Sequence, residues 1–366
     1  MMEGMNHAHD SHRLLAGATH AFGGAAGARP PSGLLADATL CFARAAAFVA
    51  FTLACGGCTV LLPSGFLSGF VLEPEKTCDE LVASLRLGDL PSVADPSGVG
   101  LEYEVFSATS ANGQPLNGWF IPAQWEGELD ADPAGTVIIL HGTSGTIACA
   151  LPWAMAAAAN HQHAVVFDYQ GYGESGGSPN LSTLLNDADA VLGWVIADHS
   201  PARQRVHVIG ISLGTGAALG LANLRAEPQI QSVTLDCPYD PEAMLGGVES
   251  RVFPFFPLFG FSARFEFAWL FVTRSRLGQM TTPLLVIAAE DDRTTPLSGA
   301  QTVFNLAGSP SKSLWVFPGL DHVQPLFLSE QEYVSLVVTF WRDPAAEPSI
   351  VAAASDPTIR VPAFTP

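Results

Sequence analysis

The chain has 366 residues, 48% of them hydrophobic, enough to bury a large core in one domain of roughly 250–300 residues once the ends are set aside. Sixteen basic against 35 acidic residues leave a formal charge of −19, which argues against nucleic acid, since a phosphate-rich partner needs clustered Lys and Arg. Only 14% of residues are charged, so the acidity reflects scarce bases and is read as solubility.

Residues 1–44 are rich in Ala, Gly and His without a sustained period and are expected to form a disordered leader. His7, His9 and His12 lie in this tract with nothing to preorganise them around a metal. Arg44 opens an apolar core at 45–54, and no charge follows until Glu73, which is the pattern of an export signal. Leu53-Ala54-Cys55 resembles the lipobox of bacterial lipoproteins, with Thr52 departing from the usual aliphatic residue. The competing reading is an uncleaved anchor, because 45–62 is an uncharged stretch of 18 residues. Both readings place the long C-terminal part across the membrane, since Arg13, Arg29 and Arg44 precede the run while Glu73 and Glu75 follow it. The protein is therefore expected to be exported, either as a membrane-attached lipoprotein or to the periplasm or cell surface. Residues 63–99 read as a linker and N-terminal extension.

Between about 100 and 342, short β-rich runs alternate with helical ones, the pattern of a largely parallel sheet covered by helices. Residues 101–107 and 116–122, joined through Ala111-Asn112-Gly113, predict an antiparallel hairpin at the sheet edge. The runs 136–140, 164–168, 206–209, 233–236, 284–289 and 313–317 are apolar and often β-branched, as in strands covered on both faces. Helices are predicted over 181–197, with Ser182 as its cap, over 213–225 and over 330–341. No internal repeat is present. Residues 343–366 contain five prolines and no period, and are expected to be a disordered tail.

Cysteines stand at 41, 55, 58, 78, 149 and 237. Cys55-Gly56-Gly57-Cys58 has C-x-x-C spacing, but no second pair follows, so no metal is expected, and the pairing of Cys78, Cys149 and Cys237 stays open.

The chemistry concentrates where the run at 206–209 enters Gly210-Ile211-Ser212-Leu213-Gly214, a G-x-S-x-G at a strand-to-helix junction. A serine on so tight a turn needs small neighbours, and the following helix aims free N–H groups at it. A carboxylate group follows the strand at 284–289, in Glu290-Asp291-Asp292, and Asp321-His322 follows the strand at 313–317. The chain order Ser, Asp, His suits acyl transfer on such a sheet. Asp291 and Asp236 are alternative acids, whereas His161, His163, His199 and His207 lie away from the final loop.

From about 100 to 342 these motifs resemble the α/β-hydrolase superfamily, in particular its esterase and acyl-thioesterase-like branches. His141-Gly142-Thr143 is similar to the family's H-G-x oxyanion turn, and Asp168-Tyr169-Gln170-Gly171-Tyr172-Gly173-Glu174-Ser175 to its D-x-x-G-x-G-x-S loop. The family's G-x-x-D-x-x-x-P maps onto Ala289, Asp292 and Pro296, with alanine for glycine, and so selects Asp292 over Asp291. The resemblance implies the α/β-hydrolase fold, a mostly parallel central sheet with helices on both faces and a cap insertion after the sixth strand, about 239–281. It implies Ser212 as nucleophile, His322 as general base, Asp292 as its partner and the amides of Thr143 and Leu213 as the oxyanion hole.

In the cap region, residues 252–272 hold 8 of the chain's 22 phenylalanines and only Arg264 and Glu266 as charges. So apolar a stretch suggests a greasy acyl or aromatic substrate, membrane docking, or simple packing of the cap on the body. The expected function is hydrolysis of carboxylic ester or thioester bonds of a small apolar acyl substrate, with no metal and no organic cofactor, and with membrane association through the N-terminus. A serine peptidase or amidase with the same triad, or a non-catalytic surface binding protein of this fold, are the competing expectations; the oligomeric state is not legible.

Overall fold

The computed structural model describes residues 60–62, 68, 71–85, 93–124, 133–225, 227–240, 263–265, 274–345, 356, 358–362 and 364. The leader, nearly all of the apolar run at 45–62 and most of the cap insertion lie outside these residues. Val60–Leu62 does appear, as a short strand paired in parallel with Ala263–Phe265.

One eight-stranded sheet organises the domain. Its strands are β1 (Glu104–Thr109), β2 (Pro115–Ile121), β3 (Gly135–Leu140), β4 (Gln162–Phe167), β5 (Val206–Ile211), β6 (Ile230–Asp236), β7 (Leu284–Ala289) and β8 (Lys312–Phe317). They lie in the order β8-β7-β6-β5-β3-β4-β2-β1. The β1-β2 hairpin and the β2-β4 pair are antiparallel, and every other pairing in this sheet is parallel.

All six residues of β3, β5 and β7 are buried, because helices cover both faces. Alternation assigns their side chains to two cores. Ile138, Leu140, Val208 and Val286 face α3 (Leu184–Ile196), α4 (Gly214–Gly220) and α5 (Leu297–Leu306). Val137, Ile139, Ile209 and Ile287 face α2 (Leu151–Ala158) and α6 (Glu330–Arg342). After β3 the chain passes through α2 to β4 on one side, then through α3 to β5 on the other, so a crevice opens at the carboxyl ends of β3 and β5.

The structure departs from the sequence expectations at several points. Ser182 does not cap the α3 helix: its N–H and hydroxyl both donate to the Asn180 side chain, and the helix starts at Leu184. The helix expected over 213–225 is α-helical only to Gly220 and finishes as a π turn over Leu221–Arg225. Part of the expected disordered tail is seated on the body. Ile359 and Phe364 are buried, Asn160 exchanges two hydrogen bonds with the main chain of Arg360 at 2.6 and 2.8 Å, and Arg342 pairs with Asp356 at 3.0 Å. The extension at 63–99 likewise carries structure, including the helix α1 (Cys78–Leu85).

Candidate active site

β5 ends in the turn that carries Ser212, whose φ of 51° is a conformation that non-glycine residues rarely adopt. The close approach of β5, the turn and α4 leaves no room for a Cβ at either flanking glycine. One on Gly210 would lie 2.5 Å from the Gly214 carbonyl, and one on Gly214 would lie 2.0 Å from that of Leu140. The turn is held from the neighbouring strand, where the Asp236 carbonyl accepts the Ser212 N–H at 2.9 Å.

Ser212 Oγ lies 3.0 Å from His322 Nε2, and His322 Nδ1 lies 2.7 Å from Asp292 Oδ2. His322 and Asp292 are buried while Ser212 keeps partial exposure, so the hydroxyl is reachable and its partners are shielded. The carboxylate has a full set of donors. Oδ1 accepts the N–H groups of Thr294 at 2.8 Å and Thr295 at 2.7 Å, and Oδ2 lies 2.8 Å from the Thr295 hydroxyl. With Nδ1 facing a carboxylate, the proton belongs on Nδ1 and the Nε2 lone pair faces Ser212. The histidine loop is fixed in turn by Asp321, which accepts the His322 N–H at 2.8 Å and pairs with Arg293 at 3.5 Å.

The alternative acids are placed elsewhere. Asp236 turns inward and accepts Tyr333 Oη at 2.6 Å and Trp153 Nε1 at 3.1 Å. Burial pushes its pKa up, opposed by those bonds. Asp291 is exposed. The expected oxyanion residues, Thr143 and Leu213, line the same cavity as Ser212 and His322. Among the described residues neither amide donates to a backbone acceptor, while the Thr143 carbonyl is committed to the Glu73 N–H at 2.9 Å and the Tyr172 hydroxyl at 2.8 Å. The neighbouring His141 is buried among Tyr169 and Tyr172, and desolvation lowers its pKa to about 4, so it stays neutral.

The Asp168 loop is architectural. Asp168 Oδ1 accepts the Ile147 N–H at 2.9 Å, its carbonyl accepts the Ser175 hydroxyl at 2.6 Å, and burial raises its carboxyl pKa to about 6. Cys237 Sγ, Asp292 and His322 form a group among the described residues close enough to share a metal ion, their ligand atoms lying within 4.8 Å of one another. These atoms suit a metal poorly, because burial keeps the Cys237 thiol protonated and Asp292 is already bonded to His322.

Three participants were not anticipated from the sequence. Thr295 supports the carboxylate, and only its spacing three residues after Asp292 hinted at a turn. The aromatic pair Trp153 and Tyr333 carried no signal. Neither did the segment 71–85, which is tied to the loop after β3 by a disulfide between Cys78 and Cys149 and by the Ser144 hydroxyl donating to Glu73 at 2.6 Å. That bond holds the Glu73 carboxyl below its ordinary range.

The cavity in front of Ser212 measures about 760 Å³. Leu81, Leu85, Trp153, Met155 and Phe327 line it together with Glu73, Lys76, Ser144 and Thr294, a mixed lining that suits an amphiphile.

Comparison with known proteins agrees with this architecture. The chain is 27% identical over 233 residues to the uncharacterized protein YfhR of Salmonella typhi, covering 61% of this chain and 75% of that one. It is 28% identical over 200 residues to the lysophosphatidylserine lipase ABHD12 of Xenopus tropicalis, spanning 52% of this chain and about half, 51%, of the relative. The solved structure of the Pyrococcus furiosus esterase Pf2001 superposes with a TM-score of 0.54 at 21% identity, over 68% of this chain and 95% of the esterase, a likeness of fold. A family model for the alpha/beta hydrolase fold matches residues 135–268, the segment from β3 through the Ser212 turn and past β6, and with the sheet order and these relatives it shows that the chain belongs to the α/β-hydrolase superfamily.

Proposed function

We propose that this hydrolase cleaves carboxylic ester or thioester bonds of apolar acyl substrates with Ser212 as its nucleophile. The observation that carries the reading is the continuous relay of 3.0 and 2.7 Å from Ser212 through His322 to Asp292, opening on an amphiphilic cavity. Ser212 attacks the acyl carbonyl as His322 Nε2 takes its proton, and the imidazolium returns that proton to the departing alkoxide or thiolate. Water then attacks the acyl-enzyme by the same route, releasing the acid and restoring Ser212. Asp292 keeps the proton on Nδ1 and stabilises the imidazolium, and the Leu213 and Thr143 amides receive the oxyanion. These steps use side chains and amides of this chain throughout.

The lipase name of the Xenopus relative and the apolar part of the cavity both favour a long acyl chain. The Cys78–Cys149 disulfide favours an oxidising compartment, which supports export; attachment through the apolar run at 45–62 rests on the sequence alone. No helix among the described residues is long and apolar enough to cross a membrane. The test is turnover of p-nitrophenyl butyrate beside the matching anilide. Ester cleavage that falls on the order of 10³-fold or more in Ser212→Ala supports the reading. Preferred cleavage of the anilide would instead make the enzyme an amidase.

A further inference from the structure

Helix α1 is amphipathic in sequence. Cys78, Leu81, Val82 and Leu85 recur at the i, i+3, i+4, i+7 spacing of one stripe, and Asp79, Glu80, Ala83 and Ser84 are exposed beside it. Helices α3 and α6 bury their stripes, but none of the eight residues of α1 is buried, and its four stripe residues are each only partly covered. The reason is that the stripe faces the cavity: all four residues line it together with Ser212 and His322, and Leu85 alone of them also packs against the core that contains Trp153.

The helix is nonetheless anchored at both ends to the loops that carry the site. At its start, Cys78 is bonded to Cys149, and the preceding Glu73 donates its N–H to Thr143 and accepts from Ser144. At its end, Gln324, two residues past His322, donates its side-chain amide to the Leu85 carbonyl at 2.9 Å. Among the described residues, then, a firmly fixed helix presents an apolar side to a cavity. The cavity runs from that stripe to the reactive hydroxyl, so the contents are part of whatever acylates Ser212.

We propose that α1 is the wall against which the substrate's acyl chain packs, with Leu81, Val82 and Leu85 setting chain-length selectivity; this rests on the ester-hydrolase reading. Trp153, Met155 and Phe327 line the same cavity and complete the apolar channel. Each methylene buried there raises kcat/KM roughly fourfold.

The test compares kcat/KM for p-nitrophenyl acetate, octanoate and dodecanoate in the full-length protein. Leu81→Trp fills the channel and lowers the octanoate-to-acetate ratio about tenfold or more, the worth of about two methylenes. Leu85→Ala enlarges it and raises the dodecanoate-to-octanoate ratio, an opposite sign that loss of folded enzyme cannot produce. Ratios within about twofold of the parent in both variants overturn the assignment. Calorimetric titration of Ser212→Ala protein with dodecanoate separates the two claims. Weaker binding after adding Leu81→Trp supports the wall even if no ester is turned over, a result that refutes the ester reading alone; unchanged binding overturns the wall.

Discussion

Tyr333 donates its hydroxyl to the Asp236 carboxylate at 2.6 Å, while the main-chain carbonyl of the same aspartate accepts the N–H of Ser212 at 2.9 Å. One buried residue thus joins α6 to the turn that carries Ser212. Tyr333→Phe leaves the carboxylate with Trp153 and the Cys237 thiol as side-chain donors and is expected to destabilise the fold by about 1–3 kcal/mol. Urea denaturation measures this, and a change below about 0.5 kcal/mol would show the bond to be dispensable.

The Cys78–Cys149 bridge closes a loop with a sequence separation of 71 residues. Loop-closure entropy for that length makes the bridge worth up to about 4 kcal/mol. Replacing both cysteines with alanine is expected to lower the urea midpoint accordingly. A reductant should then lower the midpoint of the parent and leave that of the double variant where it is.

His207 is buried on β5 with its Nδ1 2.8 Å from the Ser232 hydroxyl, and desolvation lowers its pKa from 6.5 to about 3. The unfolded chain therefore binds the proton more tightly. The contribution of His207 is intact above pH 6.5 and is lost by about 1.4 kcal/mol for each unit below it, down to about pH 3. His207→Gln is expected to flatten this slope, so that the parent loses about 2 kcal/mol more than the variant between pH 7 and pH 5. Equal slopes in denaturation at the two pH values would contradict it.

Asp292→Asn tests the tautomer. The amides of Thr294 and Thr295 require an acceptor, so the new carbonyl oxygen keeps their place and the NH₂ group faces Nδ1. The imidazole proton then moves to Nε2, where it cannot accept from Ser212. We expect kcat for p-nitrophenyl butyrate to fall on the order of 10³–10⁴-fold with KM little changed. A fall of less than about tenfold would show that another group orients His322.

Much of this arrangement was legible in the sequence because it is local. The Ser212 turn needs its two glycines where strand meets helix, and all eight strands appeared as β-branched or apolar runs, to within a few residues at their ends. The helix α2 was not anticipated, since six of its eight residues are buried and it is apolar on every side, leaving no period to read. Among three aspartates, only the resemblance to the family's G-x-x-D-x-x-x-P motif favoured Asp292. What removes Asp236 is its bonding to Trp153 and Tyr333, which lie 83 and 97 residues away and so give no local signal. The segment 71–85 hid for the same reason: its partners Thr143, Ser144 and Cys149 belong to a loop some 70 residues on, with which it shares no pattern.

The most direct measurement is to treat the protein with a fluorophosphonate and locate the adduct by peptide mass spectrometry. A phosphonylating reagent needs a hydroxyl activated by a neighbouring base. A single adduct is expected on Ser212, formed at a rate that collapses in His322→Ala. An adduct on a different serine, or labelling of Ser212 that proceeds as fast without the imidazole, would contradict it.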